Sequence, residues 1–206
     1  MKTSDSIFLR ALNKESLEIP PIWYMRQAGR YMPEYRAVRK KFKNFLDMCK
    51  NPEVCCELAL QPINAFNLDA SILFSDILTI PDAFGLGVEF LEGEGPVFKN
   101  PIKSPMDISS LPEFNPDDLS YVYEAVSNIK RALPKNIPLI GFCGSPWTLA
   151  AYSIEGRSSK EFNYTKDFIS QNNDSAHLFL EKLTNACFLY LKQQVQAGAD
   201  VIQIFD

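Results

Sequence analysis

Arg26 and Arg30 stand four residues apart, and their side chains have a clear binding chemistry. A guanidinium group is planar and permanently charged, so it can bind a carboxylate through two parallel hydrogen bonds. Gly29 lies beside them and lets the backbone turn freely and a ligand approach closely. The spacing predicts a carboxylate-binding loop, but it also fits two solvated arginines in a connection between a strand and a helix.

Polar residues follow each of four short apolar segments that we predict to be strands. The four pairs are Arg26 after Ile22–Met25, Asp76 after Ala70–Phe74, Gly144 and Ser145 after Ile137–Cys143, and Asp206 after Asp200–Phe205. Functional residues of parallel α/β barrels cluster at the carboxyl ends of the strands. We therefore expect these side chains to meet at one mouth.

Two of the candidate residues also have ordinary structural interpretations. Asp76 directly precedes a helical segment, where an aspartate commonly caps the helix. Tyr152 lies inside a predicted helix, where an aromatic side chain commonly belongs to the core.

Composition excludes several classes of protein. His177 is the only histidine, so neither a zinc site nor a Ser-His-Asp triad is expected. The five cysteines are odd in number and lack C-x-x-C spacing, which predicts free thiols in a reducing cytoplasm. The sequence has no run of about 18 apolar residues and no apolar segment typical of a secretory signal at its start, so no membrane association is expected.

The charge is distributed unevenly along the chain. The net charge is -4, which gives no overall basic surface for nucleic acid. Between Arg26 and Lys43, however, seven basic residues face one acidic residue, a local balance of +6. The basic end of this segment fits either a solvated helix face or an anion-binding mouth.

Strands and helices alternate along the sequence, which predicts an α/β fold. Val88–Leu91 and Pro96–Phe98 suggest a small hairpin across an E-G-E-G sequence, and Lys99–Pro116 is predicted to be a loop. Helices are predicted at a short first segment capped by Ser4 or Asp5, at 34–42, from Asn51-Pro52-Glu53 onward, at 77–84, at 116–133, from Gly144-Ser145-Pro146 onward, at about 159–169 and at 174–196. Pattern alone does not distinguish a doubly wound sheet from a (β/α)8 barrel.

Three strings of residues together resemble the uroporphyrinogen decarboxylase family. They are M-R-Q-A-G-R-Y-M-P-E-Y-R from Met25, F-S-D-I-L from Phe74, and G-F-C-G-S-P-W-T-L-A-A-Y-S-I-E from Gly141. The resemblance implies the (β/α)8 TIM barrel family, with residues 1–206 forming a single incomplete N-terminal domain of roughly four β/α units.

The resemblance also implies an activity and its residues. The family removes the carboxyl groups of the four acetate side chains of uroporphyrinogen III, giving coproporphyrinogen III in haem biosynthesis, with no metal and no cofactor. The implied catalytic residues are Asp76 and Arg26, and the implied substrate-binding residues are Arg26, Gln27, Arg30, Asp76 and Tyr152. A homodimer is implied as well.

The family's site includes a serine directly after the fourth strand and a histidine near the C-terminus, and residues 1–206 contain neither. We therefore expect this stretch alone to be inactive. Two alternatives remain at this point: a related barrel such as a cobalamin-linked methyltransferase, and a truncated tetrapyrrole-binding protein without activity.

The implied chemistry accounts for the residue types. Loss of carbon dioxide leaves an electron pair, and a pyrrole ring that has been protonated at carbon can accept it. A carboxylate at Asp76 would stabilise that cationic ring through its N–H groups. Arg26 and Arg30 would bind substrate carboxylates, whereas proton donation by Arg26 is chemically awkward because a guanidinium group holds its proton very tightly.

Overall fold

The computed structural model describes residues 6–91 and 95–206, in which helices alternate with short strands. The helices are α1 Ile7–Leu12, α2 Pro33–Arg39, α3 Phe45–Cys49, α4 Pro52–Ala65, α5 Thr79–Ala83, α6 Pro105–Ser109, α7 Ser120–Ala132 (after a 3-10 turn at Pro116–Leu119), α8 Pro146–Glu155, α9 Asn163–Gln171 and α10 Asn173–Ala197. The strands are β1 Ser71–Ile72, β2 Val88–Leu91, β3 Gly95–Phe98, β4 Leu139–Gly144 and β5 Val201–Phe205.

The main sheet has three strands in the order β1-β4-β5. Strands β1 and β4 are parallel, with Ser71 opposite Leu139. The backbone N–H of Asp200 donates to the carbonyl of Leu139, at the start of β4, and the N–H of Ser145 donates to the carbonyl of Phe205, at the end of β5. The starts of the two strands are thus neighbours and so are their ends, which makes β4 and β5 parallel as well. All six residues of β4 are buried, as expected of a strand covered on both faces. These features confirm the predicted α/β fold.

The chain divides into two compact units. The first comprises the described residues of Met1–Ser75 together with Tyr121–Gly141 and Gln193–Gln203. The second comprises Asp76–Ser120, Phe142–Lys192 and Ile204–Asp206, apart from residues 92–94. The hairpin formed by β2 and β3 belongs to the second unit and is antiparallel, with Val88 opposite Phe98, which confirms its prediction.

Helices α2, α3 and α4 supply much of the core of the first unit. One cluster of its buried residues consists of Met32, Tyr35, Val38, Met48 and Leu58. The side chains of Asn44 and Asn51 accept hydrogen bonds from the first turns of α3 and α4, respectively, and Pro52 opens α4 as the sequence predicts.

Helix α10 supplies the second unit with a buried stripe of side chains. The stripe consists of Phe179, Leu183, Ala186 and Tyr190, each at most 1% exposed. Their spacing of four, three and four residues places them on one face of the helix. Among the described residues, no helix combines the length and apolar character needed to cross a membrane.

The predicted strand at Ile22–Met25 is wrong. The backbone of Ile22 exchanges hydrogen bonds with Asp69, but the segment then turns, and Arg26 adopts a positive φ of 60°. The carbonyl of Ala70 accepts from the side chain of Gln27 at 3.3 Å rather than from a strand backbone. The side-chain amide of Gln27 thus occupies the position in which a backbone N–H of a neighbouring strand would form a sheet hydrogen bond with Ala70.

The loop predicted at Lys99–Pro116 contains a helix, α6. Its N-terminus is a capping box, in which Ser104 and Asp107 satisfy each other's backbone N–H groups, and Pro105 occupies the first turn. Helix α3 was also missed. Ser4 and Asp5, the predicted caps of the first helix, lie outside the described residues, and Ser6 caps α1.

Candidate active site

The loop from Arg26 to Arg30 lies in the first unit and is anchored by its own neighbours. Gln27 is only 3% exposed, and the hydroxyl of Tyr31 donates to its carbonyl. The guanidinium of Arg36 donates to the carbonyls of Arg30 and Tyr31 at 2.8 and 3.1 Å. The side chains of Arg26 and Arg30 are exposed to solvent. The backbone of the loop is therefore fixed while its two guanidinium groups stay accessible to a ligand.

A cleft of about 610 Å³ opens beside this loop. Arg26 and Gln27 line it together with apolar and aromatic side chains, including Tyr24, Tyr31 and Phe66. The Nε2 of Gln27 donates to Ala70, so its buried Oε1 is the remaining acceptor, and it has no hydrogen-bond partner among the described residues. Such a surface suits a ligand that combines apolar rings, anionic groups and an N–H or O–H donor.

Asp76 lies in the second unit and is half-buried. Its Oδ1 accepts a hydrogen bond from the backbone N–H of Leu78 at 2.8 Å, and its carbonyl accepts from the hydroxyl of Thr79 at 3.1 Å. Asp76 is not the N-cap of α5, which is Leu78 and has no side-chain cap, so the first of these bonds is a local turn bond two residues along the chain. The carboxylate is thereby held in a defined orientation directly before α5.

Gly144, the last residue of β4, allows close packing in the second unit. A Cβ at this position would lie 2.8 Å from Cδ2 of Leu149 and 3.3 Å from the Cβ of Ile77. Ile77 directly follows Asp76 in the sequence, so the Asp76 segment packs against the end of β4. Only a residue without a side chain permits that approach.

The start of α8 meets the end of β5 at the same place. Ser145 is the N-cap of α8, where its Oγ accepts from the N–H of Thr148 at 3.1 Å. The N–H of Ser145 donates to the carbonyl of Phe205 at 2.7 Å. The hydroxyl of Ser145 donates to Oδ1 of Asp206, and the hydroxyl of Thr148 donates to the same oxygen at 3.1 Å. Sequence reasoning missed Thr148, for which the only signal is its place three residues after a cap.

Tyr152 is half-buried on α8, one helical turn after Thr148. Its ring packs edge-on against Phe162, with 5.8 Å between the ring centroids. The ring therefore packs against one neighbour, but the side chain is not fully buried as that of a core residue would be.

The predicted site residues thus fall in both units. Asp76, Ser145, Tyr152 and Asp206 belong to the second unit, which brings the Asp76 segment, the end of β4 and the end of β5 together. Arg26, Gln27 and Arg30 belong to the first unit. That all of them converge at one mouth stays a prediction.

All five cysteines are free thiols, and four are buried. Burial raises the pKa of Cys55 to about 12, and its Sγ lies 3.2 Å from the carbonyl of Cys49. A hydrogen bond with Cys143, together with burial, raises the pKa of Cys187, whose Sγ lies 3.6 Å from the carbonyl of Gly144. Within residues 6–91 and 95–206, no three His, Cys, Asp or Glu side chains are grouped to hold a metal ion.

Comparison with known proteins identifies first the fold and then the family. The fold is similar to that of a methyltransferase from Methanosarcina mazei, with a TM-score of 0.76 and 22% identity over 99% of this chain and 59% of that one. The family model for uroporphyrinogen decarboxylase (URO-D) matches residues 3–206. The chain therefore belongs to the uroporphyrinogen decarboxylase family, which confirms the resemblance of the three motifs.

Curated relatives are similar to this chain over nearly its whole length. A uroporphyrinogen decarboxylase from Pseudomonas putida is 55% identical over 97% of this chain and 56% of its own length. One from Francisella philomiragia is 53% identical over 97% of this chain and 58% of its own length. The chain thus spans a little over half the length of these relatives.

Proposed function

We propose that the protein to which this chain belongs is a uroporphyrinogen decarboxylase, a carboxy-lyase of haem biosynthesis. It would convert uroporphyrinogen III to coproporphyrinogen III by removing the carboxyl groups of the four acetate side chains. The observation that carries the proposal is the family match over residues 3–206, which includes all three motifs. The same match favours this activity over the methyltransferase alternative, since the methyltransferase of known structure is similar only in fold.

We further infer that residues 1–206 form roughly the first four β/α units of a (β/α)8 TIM barrel, a single incomplete domain. The support is a sheet of parallel strands in the order β1-β4-β5, with helices between successive strands. Ile22 is hydrogen-bonded to Asp69, next to β1, so the first apolar segment lies where a first strand would.

In the proposed reaction, Asp76 faces the pyrrole N–H groups of the substrate. A proton adds to a pyrrole carbon, the bond between the acetate methylene and its carboxyl carbon breaks, and the electron pair neutralises the cationic ring. A second proton then converts the methylene to a methyl group, and the ring carbon releases the first proton, which restores the neutral pyrrole, so that one proton is taken up for each carbon dioxide lost. The carboxylate of Asp76 stabilises the cation, and the bond from Leu78 keeps that carboxylate oriented in advance.

The anchoring of the substrate is assigned to the loop of the first unit. Arg26 and Arg30 bind substrate carboxylates, because both guanidinium groups are exposed on a fixed backbone. Gln27 contributes its unpaired buried oxygen, and Tyr152 donates a hydrogen bond to a substrate carboxylate or to Asp76. The family resemblance also implies that Arg26 delivers a proton to the substrate.

The substitution Asp76→Asn, made in the full-length protein, tests the catalytic role. We expect turnover of chemically reduced uroporphyrinogen to be abolished while binding, measured by anaerobic titration calorimetry, is retained. The matched control is Asp82→Asn in α5, where the carboxylate accepts from the N–H of Val88. The control should stay active, and near-normal turnover by Asp76→Asn would refute the stabilising role.

The same assay separates the remaining alternative. Binding of the tetrapyrrole without turnover by the full-length protein would favour a non-enzymatic binder. Residues 1–206 alone should show little turnover, because they span only 56–58% of the similar decarboxylases. A cytoplasmic location is proposed from the five free thiols, and a homodimer from the family resemblance, which sedimentation would test.

A further inference from the structure

Three hydrogen bonds join the end of β5 to the first turn of α8. The N–H of Ser145 binds the carbonyl of Phe205 at 2.7 Å. The hydroxyls of Ser145 and Thr148 both donate to Oδ1 of Asp206, the latter at 3.1 Å. The carboxylate therefore lies at the amino end of a ten-residue helix, where a negative charge is favoured. We call Ser145, Thr148 and Asp206 the α8 clamp.

The clamp is linked to a proposed substrate-binding side chain through one helix face. Thr148 and Tyr152 are four residues apart on α8, so their side chains lie on the same face, one turn apart. Phe162 supports the Tyr152 ring from one side at 5.8 Å. The clamp thus fixes the first turn of the helix that carries Tyr152, and it does so beside the Asp76 segment, because Ile77 packs against Gly144.

Helix capping alone does not explain all three members. Ser145 already caps α8 by accepting from the N–H of Thr148 at 3.1 Å. The hydroxyl of Thr148 is not needed for that cap, and its bond reaches 58 residues along the chain to Asp206. The arrangement instead ties the helix to the strand end.

We propose that Thr148, with Ser145 and Asp206, is a positioning residue of the active site that acts through Tyr152. It touches no reacting atom. It holds α8 against the end of β5 so that the hydroxyl of Tyr152 lies where the substrate needs it. The inference rests on the proposed decarboxylase function.

A double-mutant cycle in the full-length protein tests this role. Thr148→Val removes the hydroxyl and keeps the shape of the side chain. It should raise the KM for uroporphyrinogen by about fivefold with little change in kcat, because a fivefold change corresponds to the loss of one ordinary hydrogen bond. Thr148→Ser should restore the wild-type KM. In a Tyr152→Phe background, Thr148→Val should have no further effect, because the hydroxyl that it positions is gone. Thr184→Val, which removes an exposed hydroxyl bonded to Leu180, is the matched control.

The outcomes distinguish this inference from the function on which it rests. A wild-type protein without decarboxylase activity would overturn the proposed function and the inference with it. An active wild type in which Thr148→Val behaves like the control, or in which its effect adds to that of Tyr152→Phe, would overturn the inference alone. If Thr148→Val does not fold, Asp206→Ala, which removes the acceptor of both hydroxyls, replaces it in the same cycle, with a rise in KM that vanishes in the Tyr152→Phe background as the expected result.

Discussion

Replacing Gly144 by alanine would test the packing that brings the Asp76 segment to the end of β4. The new Cβ would lie 2.8 Å from Cδ2 of Leu149 and 3.3 Å from the Cβ of Ile77. Leu149 is fully buried, so its methyl group has no open space to enter. The Cβ of Ile77 is attached directly to the backbone and moves only if the chain beside Asp76 moves. Both contacts therefore produce strain.

The size of the effect follows from two opposing contributions. Overpacking of this kind costs about 1–3 kcal/mol of the free energy of unfolding. Alanine also restricts the unfolded chain, which returns about 0.4–1 kcal/mol. Gly29→Ala isolates the second contribution, because the nearest atoms to its new Cβ lie at 3.5 Å. We expect Gly144→Ala to be about 1–3 kcal/mol less stable than Gly29→Ala, since the entropic contributions cancel.

Equilibrium unfolding in urea, followed by circular dichroism on the full-length protein, gives both free energies. Turnover should also fall in Gly144→Ala, because the residue that must yield is adjacent to the proposed catalytic carboxylate. Equal stabilities for the two alanine variants would refute the contact between Ile77 and Gly144. A destabilised Gly144→Ala with unchanged turnover would refute the connection between this packing and the orientation of Asp76.

Three further predictions concern charge and burial. Asp200→Ala should lower the free energy of unfolding by about 1.5–3 kcal/mol, because the carboxylate accepts a hydrogen bond from the N–H of Leu139 at 2.8 Å and pairs with Lys130 at 2.6 Å. Asp200→Asn should recover part of this loss. Equal midpoints of urea unfolding for the two variants would contradict the prediction. Arg30→Ala should weaken binding of a polycarboxylated porphyrin more than that of an uncharged one, and equal losses in titration calorimetry would argue against a carboxylate contact. Burial raises the pKa of Cys55 from 9.0 to about 12, so the buried neutral thiol contributes fully to stability below pH 9, and this contribution is lost as the pH rises toward 12. The free energy of unfolding should therefore fall less over that pH range in Cys55→Ala than in the wild type. Parallel pH profiles for the two proteins would contradict the shift.

The elements that the sequence predicted well carry strong local signals. Helix α4 follows Asn51 and Pro52, a cap and a first-turn proline that specify a helix start regardless of the rest of the fold. Strand β4 comes from a continuous apolar run, and all its residues are indeed buried. Gly198, with φ of 120°, follows the end of α10 as predicted for a residue that stops a helix.

The failures have different physical causes. The start of α6 has a local signal in the sequence, because Ser104 and Asp107 have the spacing of a capping box. No such signal exists for Ile22–Met25. A four-residue apolar run is compatible with a strand, but whether a strand forms depends on the backbone groups beside it. Here the carbonyl of Ala70 is bonded by the side chain of Gln27, and sequence alone does not reveal that substitution.

The site shows the same division between local and distant information. Asp76, Ser145 and Asp206 were predicted because a residue that follows a buried strand is recognisable from the strand alone. The α8 clamp was not predicted, because the bond between Thr148 and Asp206 requires β4 and β5 to be neighbours in a particular register. The register is set by contacts such as that of Asp200 with Leu139, which lie 61 residues apart. The sequence therefore predicts which residues are candidates for the site. It does not predict the hydrogen bonds between them, which orient a catalytic group and are seen only in the folded chain.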